Sequence, residues 1–406
     1  MINVLVADDS SFMRLAIDKM LSRDPEFNIV GFCTNGQEVL EKVKELKPDV
    51  LTLDIEMPKM NGLQALELVM ESNPLPVVMV SSLTVEGAEE TLKALELGAV
   101  DFIAKPSSFV SLKITDIYQE LAYKIKAASK ANLSIKFRHA KSRLKFVNRI
   151  TDSIPPTNNK INILPLEKKA NFIRKVDEIP FKKNAEELLL NKLNEVKETV
   201  LITKDKLAEQ RKRIRFFRPE LIIIGISTGG PVSLQEIIPK LPKDLPCGII
   251  IAQHMPLGFT NSLANRLNNM SSIEVKEAET GDVIRAGRVL VAPSGYQTEV
   301  AKRFIGYSVH ITDKGSGYLY KPCIDLTLSS AAKMYQDKVL GIIMTGMGSD
   351  GTLGAKDIKA YGGKVFAESE ETCLISSMPK SAVKAGVVDC VYPLNEIANA
   401  IVSLYE

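Results

Sequence analysis

Apolar, β-favouring runs recur along the first part of the chain at nearly even intervals, at residues 3–7, 28–33, 49–53, 76–80 and 101–104. Between them the period changes. Met13, Ile17, Met20 and Leu21 fall at i, i+4, i+7 and i+8, and Val39, Val43 and Leu46 at i, i+4 and i+7, so each set lines one face of a helix. The run Pro76-Val77-Val78-Met79-Val80 is apolar without alternation, as in a strand buried on both faces. Such strands alternating with helices predict a five-stranded parallel sheet, doubly wound, closed by a fifth helix near residue 125.

Beyond that point the rhythm is lost. Residues 136–183 mix Lys, Arg and Asn with Pro155-Pro156, Pro165 and Pro180, which suits a linker with short sticky segments. Over residues 184–213 the pattern turns helical, with Leu189, Leu193, Val196 and Val200 on one face and Arg211-Lys212-Arg213 at the end where cations complement the helix dipole. A second α/β pattern begins at Glu220, with buried strands predicted at 221–225, 248–252, 288–292, 339–345 and 363–367 and a hairpin over 301–313. The expected fold class is therefore α/β, two doubly wound parallel-sheet domains joined by a long linker, the second domain Rossmann-like. The expected boundaries are 1–125, a basic, partly helical linker 126–218, and 219–406.

Composition fits this division. A chain of 406 residues, 45% hydrophobic and 25% charged, has the length for two or three domains and the material for their cores. Five scattered cysteines without a C-x-x-C pair argue against a disulfide framework or a structural zinc. The N-terminus has no basic region followed by an apolar stretch, and no apolar run reaches membrane-spanning length, so the expected location is cytoplasmic. The net charge of +3 hides an asymmetry: residues 136–218 hold 22 Lys and Arg against 10 Asp and Glu, a local +12 that leaves the rest at −9. That segment carries no recognition-helix motif and no interleaved aromatics, so nucleic acid is not the expected partner.

In a doubly wound sheet, ligands bind beyond the carboxyl ends of the strands. The residues following the first set of strands are Asp8 and Asp9, Asp54, Ser81 and Lys105. Any one alone would read as a cap or a surface charge. Three carboxylates at one edge repel unless a cation sits among them, and an all-oxygen site favours Mg²⁺. One carboxylate is then free to attack a phosphoryl group whose oxygens Lys105 and Ser81 can hold. The runs Asp8-Asp9, Leu53-Asp54-Ile55-Glu56-Met57-Pro58 with Asn61-Gly62, Val80-Ser81-Ser82 and Ala104-Lys105-Pro106 together resemble the receiver domain of bacterial response regulators, over about residues 1–125. The resemblance implies that Asp54 accepts a phosphoryl group from a histidine kinase and that Asp8, Asp9, Asp54 and the Glu56 carbonyl hold Mg²⁺. It also implies that Ser81, Phe102 and Lys105 transmit the change, with Lys105-Pro106 as the family's cis peptide.

A second constellation lies downstream. Ile222-Ile223-Ile224-Gly225-Ile226-Ser227-Thr228-Gly229-Gly230-Pro231 leads from a buried strand through a glycine-rich turn into a helix, whose free N–H groups could hold a phosphate or an oxyanion. A serine nucleophile needs a base. Of three histidines, His139 falls in the linker and His310 in the hairpin, while His254 follows a buried strand. Asp350 follows another, in the loop Gly346-Met347-Gly348-Ser349-Asp350-Gly351, where an N-cap is the plainer alternative. Three strand ends that supply Ser, His and Asp are explained together by a catalytic triad. The order Ser227, His254, Asp350 is not that of an α/β-hydrolase, and a nucleotide site would need the Walker lysine this turn lacks.

The runs Gly-Ile-Ser-Thr-Gly-Gly-Pro, Gln-His-Met-Pro and Thr-Gly-Met-Gly-Ser-Asp-Gly, with Glu371-Thr372-Cys373 and Met378-Pro379 downstream, resemble the catalytic domain of chemotaxis protein-glutamate methylesterases, over about residues 219–406. A receiver in front of that domain is the family's architecture. The resemblance implies a phosphorylation-regulated serine hydrolase that removes γ-glutamyl methyl esters from chemoreceptor cytoplasmic domains, with receptor glutamine deamidation as a second activity. Ser227 would be the nucleophile, His254 the base and Asp350 its orienting acid, with Thr228 and Met347 N–H groups at the oxyanion; no cofactor is expected for ester hydrolysis. Two departures stand out: Ser294-Gly295-Tyr296-Gln297-Thr298 where the family usually has a histidine and a methionine, and a linker that looks long for the family.

Overall fold

Five strands, β1 (Ile2–Ala7), β2 (Phe27–Cys33), β3 (Val50–Asp54), β4 (Val77–Ser81) and β5 (Asp101–Ala104), form the first sheet. All pair in parallel, in the order β2-β1-β3-β4-β5. Crossovers run through α1 (Ser11–Leu21), α2 (Gly36–Leu46), α3 (Gly62–Ser72) and α4 (Val85–Leu97), and α5 (Ile114–Ala128) closes the unit. Local chemistry sets the helix starts: Ser10 and Asn35 accept N–H groups of the first turns of α1 and α2, and Asn61 with Gln64 makes a reciprocal capping box on α3. The α1 stripe buries Met13, Ile17 and Leu21, with Met20 at its edge. At about 1.5–3 kcal/mol per buried large apolar side chain, such stripes fix the helices to the sheet. The third and fourth strands were expected one residue early: Asp54 and Ser81 close β3 and β4 rather than follow them.

The computed structural model describes residues 1–82, 84–105, 114–133, 214, 216–313 and 317–406. The expected linker helix over 184–213, His139 and the Lys105–Pro106 bond lie outside the described residues.

The second sheet has seven parallel strands: β6 (Leu221–Ile226), β7 (Gly248–Gln253), β8 (Glu274–Glu277), β9 (Arg288–Val291), then β12 (Val339–Ile343), β13 (Lys364–Glu368) and β14 (Cys390–Tyr392), with β10 (Gln297–Lys302) and β11 (Tyr307–Thr312) set apart as an antiparallel hairpin. Its order is β14-β13-β12-β6-β7-β9-β8. Helices α6 (Gly230–Ile237), α7 (Phe259–Met270), α8 (Ile324–Tyr335), α9 (Thr352–Ala360), α10 (Ser377–Lys384) and α11 (Leu394–Val402) complete the unit. The first strand in sequence, β6, stands in the middle; the chain moves to one side through β7 and returns to the other at β12. The carboxyl ends of β6 and β12 thus flank a topological switch point, where such sheets bind ligands.

Two strands were not expected. β8 is an edge strand whose Glu274 and Lys276 are engaged by Arg288 and Asp282, so it lacks an apolar signature, and β14 is only 3 residues long. The hairpin also begins earlier than residue 301, at Gln297, because buried Gln297 and Thr298 read as loop by polarity. Gln297 is satisfied there by donating to the Tyr320 carbonyl at 2.9 Å and accepting from Cys323 N at 2.8 Å.

The described residues of both sheets belong to one compact unit. Leu374 and Ile375, between β13 and α10, share one buried cluster with Leu121, Ile125, Ala127 and Ala128 of α5. Arg266 of α7 pairs with Glu96 of α4, and Asn132 N donates to the Leu374 carbonyl at 3.1 Å. All five cysteines are buried free thiols, and among the described residues no helix is long and apolar enough to cross a membrane.

Candidate functional sites

β1 and β3 end side by side, which brings Asp8, Asp9 and Asp54 together with one oxygen of each within 4.8 Å of the other two. Asp8 and Asp54 are buried and Asp9 is exposed. Lys105, after β5, reaches in with Nζ 2.6 Å from Asp54 Oδ2 and 3.4 Å from Asp8 Oδ2. Asp54 Oδ1 accepts from Glu56 N at 3.3 Å, while among the described residues Asp8 Oδ2 accepts no hydrogen bond. Burial pushes the Asp54 carboxyl up to about 6 in spite of Lys105, and burial likewise raises Asp8. These are crowded anions short of positive charge, and an all-oxygen donor set of this kind fits a hard divalent cation. A glycine is needed behind them: a Cβ on Gly62 would stand 1.9 Å from the Asp54 carbonyl oxygen. Ser81 Oγ donates to Gly87 O at 3.1 Å and accepts from Thr91 Oγ1 at 2.7 Å, so its hydroxyl is engaged with α4. Phe102 is buried with its ring 4.6 Å from that of Phe259 on α7. Two of the three expected switch residues therefore touch the elements through which the first sheet meets the second.

At the switch point of the second sheet, Ser227 follows β6, His254 follows β7 and Asp350 lies in the loop after β12. His254 Nδ1 is 3.2 Å from Ser227 Oγ, and its Nε2 is 2.8 Å from Asp350 Oδ2. The histidine and aspartate side chains are almost completely buried. Asp350 does not cap α9. It accepts instead from the N–H groups of Ile324 at 2.8 Å and Asp325 at 2.9 Å, the first of α8, and from Gly351 at 3.0 Å. Burial alone would raise its pKa, but His254 and these N–H groups outweigh it and hold the carboxyl below its ordinary value. An ionised Asp350 fixes the proton on Nε2 and leaves Nδ1 as an acceptor facing the serine hydroxyl.

The turn beside the serine is tied down from below. Ser227 N donates to the Thr345 carbonyl at 2.9 Å, Thr345 Oγ1 donates to the Thr228 carbonyl at 3.0 Å, and Thr345 N donates to Glu368 Oε2 at 3.0 Å. Gly346 makes this approach possible, since a Cβ there would fall 2.7 Å from that of Ser227. Among the described residues, neither Thr228 N–H nor Met347 N–H donates a hydrogen bond. The Thr228 hydroxyl bonds to Asp101 of β5, whose carboxylate also pairs with Lys124 of α5 at 3.1 Å. Ser227 and His254 open into a cleft of about 670 Å³ walled on one side by Asp101, Glu120 and Tyr123 and on the other by Met255 and Tyr320.

Asp101, Tyr320, Thr345 and Glu368 were not expected at the site. Thr345 closes a buried strand run and Glu368 stands at the end of another, a signal that would have found both. Tyr320 carries no residue-type signal, because its ring becomes informative only once the loop is folded against His254.

A phosphoacceptor-like acidic pocket on one sheet and a serine, histidine and aspartate in register on the other define a response regulator carrying a hydrolase domain. Comparison with known proteins agrees. The response regulator receiver domain family matches residues 4–115, and the CheB methylesterase family matches residues 222–401. A protein-glutamate methylesterase/protein-glutamine glutaminase of Halalkalibacterium halodurans is 39% identical over 99% of this chain and 97% of its own length. Its namesake in Pyrococcus horikoshii is 38% identical over 100% of this chain and 94% of its own length. The crystal structure of the Thermotoga maritima CheB methylesterase catalytic domain, 42% identical, covers 46% of this chain and 98% of that one with a TM-score of 0.45. The chain belongs to the protein-glutamate methylesterase/protein-glutamine glutaminase family.

Proposed function

We propose that the protein hydrolyses γ-glutamyl methyl esters on the cytoplasmic domains of chemoreceptors, releasing methanol and restoring glutamate, and deamidates receptor glutamines at the same site. The observation that carries this reading is the unbroken row Ser227 Oγ, His254 Nδ1, His254 Nε2, Asp350 Oδ2. As Ser227 Oγ attacks the ester carbonyl, its proton passes to His254 Nδ1, and Asp350 balances the imidazolium through Nε2–H. The N–H groups of Thr228 and Met347, without an acceptor among the described residues, receive the oxyanion, a contribution of about 10²–10³ in rate per donor. The proton on Nδ1 then leaves with methoxide as methanol. Water attacks the acyl-enzyme with His254 again as base, and glutamate and Ser227 are restored. A γ-carboxamide follows the same course with ammonia as the leaving group.

Asp54 is the proposed phosphoacceptor, taking the phosphoryl group from a histidine kinase. Asp8, Asp9, Asp54 and the Glu56 carbonyl would hold Mg²⁺, which supplies neutralising charge for the phosphoryl oxygens. Lys105, now paired with Asp54, is within reach of the same oxygens, and Ser81 and Phe102 would pass the change to α4 and α7. In the unphosphorylated state the receiver walls the cleft beside Ser227, holds Thr228 through Asp101 and packs α5 on Leu374 and Ile375, which supports gating by separation of the two domains. Ester hydrolysis itself asks nothing of a cofactor in this scheme, and the cytoplasm is where receptor and kinase would be met.

The test is methanol release from methylated chemoreceptor membranes by the full-length protein, with Ser227→Ala alongside. Release by the wild type that disappears in the variant is expected; release unaffected by the substitution would remove the serine mechanism.

A further inference from the structure

An imidazole that must present Nδ1 to a serine and Nε2 to an aspartate at once has to be held in one plane, and two hydrogen bonds along the ring edge do not stop it rocking about their common line. Something must lie against its face. The Tyr320 ring does: its centroid is 4.1 Å from that of His254 with only 18° between the planes. Tyr320 stands four residues before Ile324, the first residue of α8, and so close to the N–H groups that hold Asp350. Its backbone is fastened on both sides, by Gln297 Nε2 donating to the Tyr320 carbonyl at 2.9 Å and by Gly295 N donating to the Lys321 carbonyl at 3.1 Å. Gln297 also accepts from Cys323 N at 2.8 Å, so one fully buried side chain brackets the segment that carries the ring. The Tyr320 ring also meets that of Tyr123 on α5, 6.3 Å away at 56°.

We propose that Tyr320 is a positioning residue for the general base: its aromatic face fixes the His254 imidazole in the plane that joins Ser227 to Asp350 and favours the imidazolium formed during the reaction. This rests on the triad reading above. An aromatic ring within about 6 Å of a cation attracts it through the negative face of the ring, and that attraction grows as the site is desolvated. The effect exists only while His254 is charged, so it belongs to the rate of the chemical step and not to substrate binding.

The experiment compares Tyr320→Phe with Tyr320→Leu in the full-length protein supplied with Mg²⁺ and a small-molecule phosphodonor. Leucine fills the space and excludes water but has no aromatic face, whereas phenylalanine keeps the face and loses only the hydroxyl. Two readouts are taken: labelling of Ser227 by a fluorophosphonate, which needs no receptor, and methanol release from methylated receptor. The leucine variant is expected to lose about 3- to 10-fold in labelling rate and in kcat with KM unchanged, and its acid limb should move to lower pH because the imidazolium has lost support. Phenylalanine is expected to restore most of the rate. Equal rates and acid limbs in wild type and leucine variant would overturn the proposal, as would a phenylalanine variant as slow as leucine, or a change confined to KM. Absence of Ser227 labelling in the wild type would instead count against the triad reading.

Discussion

Glu368 offers a perturbation whose size and sign can be worked out in advance. Its carboxyl closes β13 beneath the serine turn, wholly buried, accepting Thr345 N–H at Oε2 and the Thr372 hydroxyl at Oε1. Burial raises it from the ordinary 4.5 to about 7, against the pull of those two hydrogen bonds. The folded value lies above the unfolded one, so the protonated carboxyl is tolerated freely at low pH and the cost of ionisation grows as pH rises from 4.5 through about 7. Fully developed, that cost is about 3 kcal/mol. Glutamine has the same shape without the charge. Its carbonyl can accept Thr345 N–H, and its amide can donate to Thr372 Oγ1, whose own proton has the Ser369 carbonyl as a second acceptor at 3.2 Å. Glu368→Gln is therefore expected to gain about 1–3 kcal/mol at about pH 8 and less than about 1 kcal/mol at about pH 5. For a domain of this size that is a rise in melting temperature of about 3 °C or more, read by thermal unfolding of both proteins at the two pH values. A variant no more stable than wild type at the higher pH, or equally stabilised at both, would mean that Glu368 carries no ionisation cost.

Asp350→Asn should lower kcat by about 10⁴, because all of its hydrogen-bond partners are donors and an amide must turn its NH₂ either on His254 or on the N–H groups of Asp325 and Gly351; steady-state kinetics on methylated receptor decides, and a loss under tenfold would deny Asp350 its orienting role. Asp54→Asn should leave basal hydrolysis in place and abolish its stimulation by a phosphodonor, measured side by side with wild type. Arg266→Ala removes one pair between α7 and α4 and should raise basal activity by no more than about fivefold without changing the fully stimulated rate, since such a pair contributes about 0.2–1 kcal/mol.

Much of this arrangement was legible before folding, for a physical reason. Parallel sheets buried on both faces write their strands as apolar runs, and ligands gather where those runs end, so Asp8, Asp54, Ser227 and His254 could be picked out by position. Asp350 could be found too, but not its true support, because the N–H groups that hold it belong to α8, 25 and 26 residues away in sequence. β8 escaped because an edge strand is written in charges, and the early start of the hairpin because Gln297 is polar and buried at once. The gating contacts were not legible: Asp101 on Thr228 and Leu374 and Ile375 on α5 join residues whose pairing depends on how two separately readable domains meet. Tyr320 belongs to the same class, an aromatic ring whose meaning comes from the one face it covers.

A hydrogen-bonded serine hydrolase site is thus held in check by a receiver that phosphorylation releases. This is tested most directly by the rate of methanol release from methylated chemoreceptors by the full-length protein, with Mg²⁺, before and after a small-molecule phosphodonor is added. Release is expected to rise with the phosphodonor, to keep only its basal level in Asp54→Asn and to vanish in Ser227→Ala. Release at one unchanging rate would contradict the gating, and release that survives the loss of Ser227 would contradict the site itself.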